Sequence, residues 1–133
     1  MADTVDTNVM IDGPRNYIAR FTNVSDSTGE SAAVKVDIST LLGPEPGQAP
    51  TSLSLLSATW NVQGFEGVKI EWDHTANDEI IICSGEGYVD FRRFGGIHDP
   101  RSAGGTGNIV FTTFGTAVAN DTYDILLEFV KKE

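Results

Sequence analysis

The chain has 133 residues, 40% of them apolar, with 19 acidic side chains, nine basic ones and a net charge of −10. This length predicts one domain with one core, and no apolar run approaches the ~20 residues that a membrane-spanning helix needs. Because the negative charge repels polyphosphate, we expect neither nucleic acid nor a membrane among the partners.

Residues 1–14 are the first predicted unit, an N-terminal arm. They are polar and acidic apart from Val9, Met10 and Ile11, and Gly13 and Pro14 separate them from the first strand. The segment lacks the basic stretch and the apolar stretch of a secretory signal, so we expect the chain to fold in a cytoplasm.

The following residues show the pattern of strands with one buried face. Apolar residues recur at every second position in short runs, and turn-forming residues separate the runs. The last run is the clearest, since Tyr123, Ile125, Leu127 and Phe129 fall on one face. The predicted strands are 17–22, 34–38, 57–63, 67–73, 79–83, 87–91, 108–114 and 122–131.

About eight short strands with no intervening helical pattern predict an all-β fold. We expect an antiparallel β-sandwich or a jelly-roll-like barrel, formed by residues 15–133 as a single domain. The loop 43–50 carries three of the five prolines, which predicts an extended surface excursion.

Three side chains in the predicted strands call for separate interpretation. Trp72 continues the apolar face of Val68 and Ile70, which places it in the interior. Trp60 lies between Thr59 and Asn61, and the pattern leaves its environment open. Cys83, the single cysteine, ends an apolar run and is predicted to be a reduced, buried thiol.

The sequence carries no persuasive catalytic or cofactor motif. Its two histidines, His74 and His98, stand in polar turns beside Asp73 and Asp99. These pairs could supply metal ligands if the two loops met, but their spacing matches no known metal cluster, and exposed turn histidines are the simpler interpretation. We therefore predict no catalytic residue, no cofactor and no metal.

Three further acidic residues lie in turn-like sequences and could ligate calcium: Asp26, Glu30 and Asp121. Their spacing does not follow the oxygen-ligand pattern of an EF-hand. Capping of turns is the plainer role.

Several short segments follow one another in a distinctive order: 19–26 (ARFTNVSD), 28–31 (TGES), 34–37 (VKVD), 67–73 (GVKIEWD), 90–91 (DF), 94–96 (FGG), 107–113 (GNIVFTT) and 120–123 (NDTY). Over roughly residues 9–131 this series resembles the small virion structural proteins of tailed bacteriophages. The resemblance implies a β-rich, non-enzymatic protein that decorates or cements the capsid shell, in many copies on its outer surface. It also implies assembly in the host cytoplasm and location in the virion.

The partners implied by this resemblance are the major capsid protein or other virion proteins, together with self-association, for example as a trimer. Arms and loops often supply such contact surfaces, and an extended segment can add a strand to a neighbour. Charged rims can steer docking, although each contributes little energy. The candidate partner-binding residues are Val9, Met10, Ile11, Pro44, Pro46, Arg92, Arg93 and Arg101.

Two other function classes stay open at this point. A glycan- or receptor-binding module on the virion, in the tail or a head fibre, is suggested by Trp60 and Tyr88, because aromatic rings can stack on sugars. A hydrolase that uses carboxylates, or a metal at His74 and His98, is the third hypothesis.

Overall fold

The computed structural model describes residues 4–27, 29–43, 47–75, 77–99, 105–115 and 118–132. The predicted all-β, antiparallel fold is confirmed. The strands of the described ranges are β1 (Thr4–Asp12), β2 (Asn16–Asp26), β3 (Ala33–Val36), β4 (Ser52–Gln63), β5 (Gly67–Trp72), β6 (Asp78–Cys83), β7 (Glu86–Asp90), β8 (Ile97–His98), β9 (Ile109–Phe114) and β10 (Ala119–Lys132). Single turns of 3₁₀ helix follow β3, at Ile38–Thr40, and β7, at Arg92–Phe94.

The strands form two antiparallel sheets. Sheet A has the order β1-β2-β10-β4-β7, with β8 also pairing with β4, and sheet B has the order β3-β9-β5-β6. The inner faces of the two sheets enclose one hydrophobic core, as in a β-sandwich. No helix in the described part of the chain is long and apolar enough to span a membrane.

Aromatic side chains from both sheets meet in the middle of the core. Phe111 of sheet B lies edge-on to Phe21 and Tyr123 of sheet A, with ring centroids 5.2 and 5.8 Å away. Edge-to-face contacts of this kind add roughly 0.5–1.5 kcal/mol each beyond the area that they bury. The predicted interior positions of Trp72 and Cys83 are confirmed, since both side chains are buried.

The segment predicted as an N-terminal arm contains strand β1. Its backbone pairs with β2 from Thr4, opposite Val24, to Asp12, opposite Tyr17, and Met10 is the extra residue of a bulge in this pairing. Every residue of β1 is exposed except Asp12, which is half-buried. The segment is therefore an edge of sheet A outside the core, although its own sequence shows no buried face that would have predicted a strand.

Candidate functional site

The exposed edge of sheet A is the first candidate site. Strand β1 has a single neighbour, β2, and no strand of the described ranges pairs with its other side. The apolar side chains of β1 are exposed, at 47% for Val5, 47% for Val9, 57% for Met10 and 48% for Ile11. An edge strand presents unpaired N–H and C=O groups, so β1 combines apolar side chains with a backbone that can pair with another strand.

An open cavity of about 600 Å³ lies on the outer face of sheet A next to this edge. In its lining, the Arg20 guanidinium donates to both carboxylate oxygens of Asp124, over 2.8 and 2.5 Å. These hydrogen bonds hold the pKa of Asp124 below its ordinary value. The lining residues are Met10, Arg20, Thr59, Trp60, Asn61, Glu86, Gly87, Asp124 and Leu126. Such a surface offers both donors and acceptors to a polar ligand.

The two aromatic residues that suggested glycan binding lie on opposite faces of sheet A. Trp60 is in register with the buried Ile125, packs against the core, and donates its indole N–H to the carbonyl of Ser84 over 3.0 Å. Tyr88 is 62% exposed and is the cross-strand partner of Thr59, which places it on the outer face. The register therefore directs the two side chains to opposite faces of the sheet, and Trp60 is half-buried whereas Tyr88 is exposed.

The arginines predicted to bind a partner differ in their ion pairs within the chain. Arg92 forms an ion pair with Glu128 and a second one, of 3.4 Å, with Asp90. The hydrogen bond that Arg92 donates to the Glu128 carboxylate raises the pKa of Arg92 above its ordinary value. Arg93 is exposed. The other candidates, Arg101, Pro44 and Pro46, lie outside the described residues.

The interpretation of His74 as an exposed turn residue is wrong. Its ring nitrogens lie 2.7 Å from an Asp78 carboxylate oxygen and 2.9 Å from an Asp99 carboxylate oxygen, and the side chains of His74 and Asp99 are fully buried. Acceptors at both nitrogens offset the cost of burying the imidazole. His98 is exposed, and its Nδ1 contacts the hydroxyl of Ser54.

The loops that carry the two His–Asp pairs do meet, through the contact of His74 with Asp99. Even so, the described residues contain no group of three or more His, Cys, Asp or Glu side chains arranged to hold a metal ion. The contact joins the turn after β5 to the segment after β8, which indicates a structural role.

The calcium candidates also have other partners. Asp121 accepts a hydrogen bond from the backbone N–H of Val118 over 2.9 Å, which confirms its predicted turn-capping role. Glu30 is buried with Lys35, Asn23 and Tyr123. This polar cluster was not expected from the sequence, because Lys35 occupies a polar position in the alternation of β3. A bulge between Val34 and Val36 shifts that alternation.

Comparison of the chain with protein-family models found no match, and comparisons with curated proteins and with solved structures found none either.

Proposed function

We propose that this chain is a non-enzymatic structural protein of a phage virion, a decoration or cement protein that binds the outer surface of the head shell and stabilises it. Its partners are the major capsid protein or other virion proteins, and copies of the chain associate with one another. The sequence resemblance supports the virion role. The single observation that carries the mode of binding is the exposed edge strand β1 with its four exposed apolar side chains.

Strand β1 binds by adding itself to a strand of the neighbouring protein. Pairing of the free edge supplies main-chain hydrogen bonds, and the apolar side chains along β1 lose their remaining contact with water. Complete burial of a Val, Ile or Met side chain contributes about 1.5–3 kcal/mol, so a side chain that starts half-exposed contributes roughly 1 kcal/mol. Four such residues supply about 4 kcal/mol before ordering costs, and a lattice of many copies adds avidity.

The test uses head shells that lack this protein and measures binding of the purified chain by co-sedimentation. We expect the substitution Ile11→Lys to weaken binding about tenfold, corresponding to about 1.4 kcal/mol. The matched control is Ile82→Lys, which makes the same change at a 45% exposed position on β6, the edge strand of sheet B. This control should bind like the wild type.

Equal binding by both variants would show that β1 is not the docking edge. The virion role has a separate test in quantitative mass spectrometry of purified particles, where the chain should be present in stoichiometric copies. Its absence from the particles would contradict the whole proposal.

A second candidate, a glycan- or receptor-binding module, is favoured by one observation, the exposed Tyr88 ring on the face that carries the cavity. The cavity's donors and acceptors, including Arg20, Asn61 and Glu86, suit sugar hydroxyls. A glycan array probed with the wild type and with Tyr88→Ala tests this function. Binding that the substitution abolishes would support it, and an array without signal would contradict it.

A further inference from the structure

The carboxylate of Glu30 lies between an amine and an amide in the interior. Its Oε2 accepts a short hydrogen bond from Lys35 Nζ, and its Oε1 accepts one of 3.2 Å from Asn23 Nδ2. Tyr123 donates its hydroxyl to the same Oε1. One carboxylate thus contacts both the amino group of a lysine and the amide nitrogen of an asparagine.

The surroundings of this cluster shield it from most of the solvent. The side chains of Lys35 and Glu30 are 7% and 9% exposed, and Asn23 is 1% exposed. The ring of Tyr123 packs between Phe111 and Phe65, with centroids 5.8 and 6.2 Å away. In such a site a lysine amine that has given up its proton is poorly hydrated, and its hydrogen-bond partner holds it in place as a nucleophile.

The strands also bring the lysine and the asparagine together from opposite sheets. Asn23 belongs to β2 of sheet A and points inward because it alternates in phase with the buried Phe21 and Ser25. Lys35 belongs to β3 of sheet B, and its ammonium is buried against Glu30 beside the bulge in that strand. A bond between these two side chains would join the two layers of the sandwich.

We propose that Lys35 and Asn23 form an intramolecular isopeptide bond, with Glu30 carrying the protons. The ammonium of Lys35 transfers a proton to Oε2 of Glu30, and the neutral Nζ attacks Cγ of Asn23. The Nζ–Cγ bond forms and the Cγ–Nδ2 bond breaks. Nδ2 leaves as an ammonium ion, with its own two hydrogens and the two protons that Nζ gives up. The Glu30 carboxyl group accepts each of these protons from Nζ and passes it to Nδ2.

The reaction balances without an added reagent. An ammonium and a primary amide become a secondary amide and an ammonium ion, and Glu30 ends as the carboxylate that it was at the start. No oxidant, reductant or nucleotide takes part, so folding alone, by assembling the three side chains, is enough to start it.

Lys131 provides an internal comparison. This buried lysine contacts the Asp12 carboxylate, but its other two acceptors are the backbone carbonyls of Gly13 and Leu42. Within the described residues, the hydrogen bonds of its ammonium include no side-chain amide. We expect Lys131 to remain a free amine.

The first measurement is the intact mass of the purified, denatured wild-type chain. The cross-linked chain is lighter than its sequence by one ammonia. Tryptic mapping then locates the loss: cleavage after Lys35 is blocked, so the peptide 21–69 appears intact and short of one ammonia, and the peptide 21–35 is missing. The variants Glu30→Gln and Lys35→Arg should show no loss of ammonia.

The matched control is Lys69→Arg, which changes a lysine in the exposed pair with Glu79 and should still lose ammonia. Circular dichroism establishes that each variant is folded, and the wild-type map decides the question even if a variant is not. A wild-type chain of full mass would overturn the proposal. So would a chain that has lost ammonia but is still cleaved after Lys35, because an asparagine can also lose ammonia by closing onto its own backbone.

Discussion

Removal of the buried ammonium of Lys131 tests the packing at the end of sheet A. Its Nζ donates to the Asp12 carboxylate and to the backbone carbonyls of Gly13 and Leu42, the last two over 2.6 and 2.5 Å. The side chain is fully buried, so the ammonium connects the end of β1, the end of β10 and the loop after β3. The substitution Lys131→Met keeps the volume and the apolar stem but removes all three hydrogen bonds.

The expected cost is about 3 kcal/mol of unfolding free energy. Breaking a buried ion pair by removing one partner costs about 3–5 kcal/mol, and each carbonyl left without a donor costs about 1–3 kcal/mol. The Asp12 side chain is 27% exposed and regains water, which places the total at the lower end. In urea, with a slope of about 2 kcal/mol/M, the midpoint should fall by roughly 1.5 M.

The matched control for this experiment is Lys69→Met. The pair of Lys69 with Glu79 is 3.8 Å long and exposed, at 39% and 54%, so its loss should cost less than about 1 kcal/mol. In the background of Lys131→Met, the further change Asp12→Asn should recover part of the stability, because it removes the unpaired charge. Equal midpoints for Lys131→Met and Lys69→Met would refute the reasoning.

Two further predictions concern the core. Burial raises the pKa of Cys83 from its ordinary value of 9.0 to about 12, so its contribution to stability is complete below pH 9 and is lost as the pH rises towards 12. The expected loss is of the order of 4 kcal/mol. It is measured as the difference in unfolding free energy between the wild type and Cys83→Ala, followed from pH 9 to 12. A difference that stays constant with pH would contradict the prediction. For Gly87→Ala, the new Cβ would lie 2.4 Å from Cζ2 of Trp60, so we expect a cost of about 1–3 kcal/mol and a changed tryptophan fluorescence. Gly13→Ala, whose nearest contact is 3.9 Å, is the control, and an equal cost for both would argue against crowding at Trp60.

The alternation of apolar and polar residues along the chain was sufficient to predict the fold class and much of the core. The face formed by Tyr123, Ile125, Leu127 and Phe129 is buried as predicted, and Trp72 is buried with it. A strand has a side-chain period of two, so each run shows in its own sequence which face meets the core. This information is local, and no partner strand is needed to obtain it.

Strand β1 and the first half of β4 were not predicted, for different reasons. Every side chain of β1 except Asp12 is exposed, so the strand exists only through its pairing with β2. In β4, the consecutive buried residues Leu53, Ser54 and Leu55 interrupt the alternation, next to a register shift in the pairing with β10. Strand pairing and bulges depend on two neighbouring strands, so the sequence of one segment does not specify them by itself.

The sequence by itself determined an acidic, all-β, antiparallel chain with one core, because composition and two-residue periodicity are read residue by residue. Only the tertiary structure decided the environment of the polar groups. The Glu30 carboxylate meets Tyr123 across 93 positions of sequence, and the buried His74 meets Asp99 across 25. Such groups can be buried only where a distant segment places a hydrogen-bonding partner beside them. Their environment therefore depends on how the two sheets pack together, and no local sequence pattern reveals it.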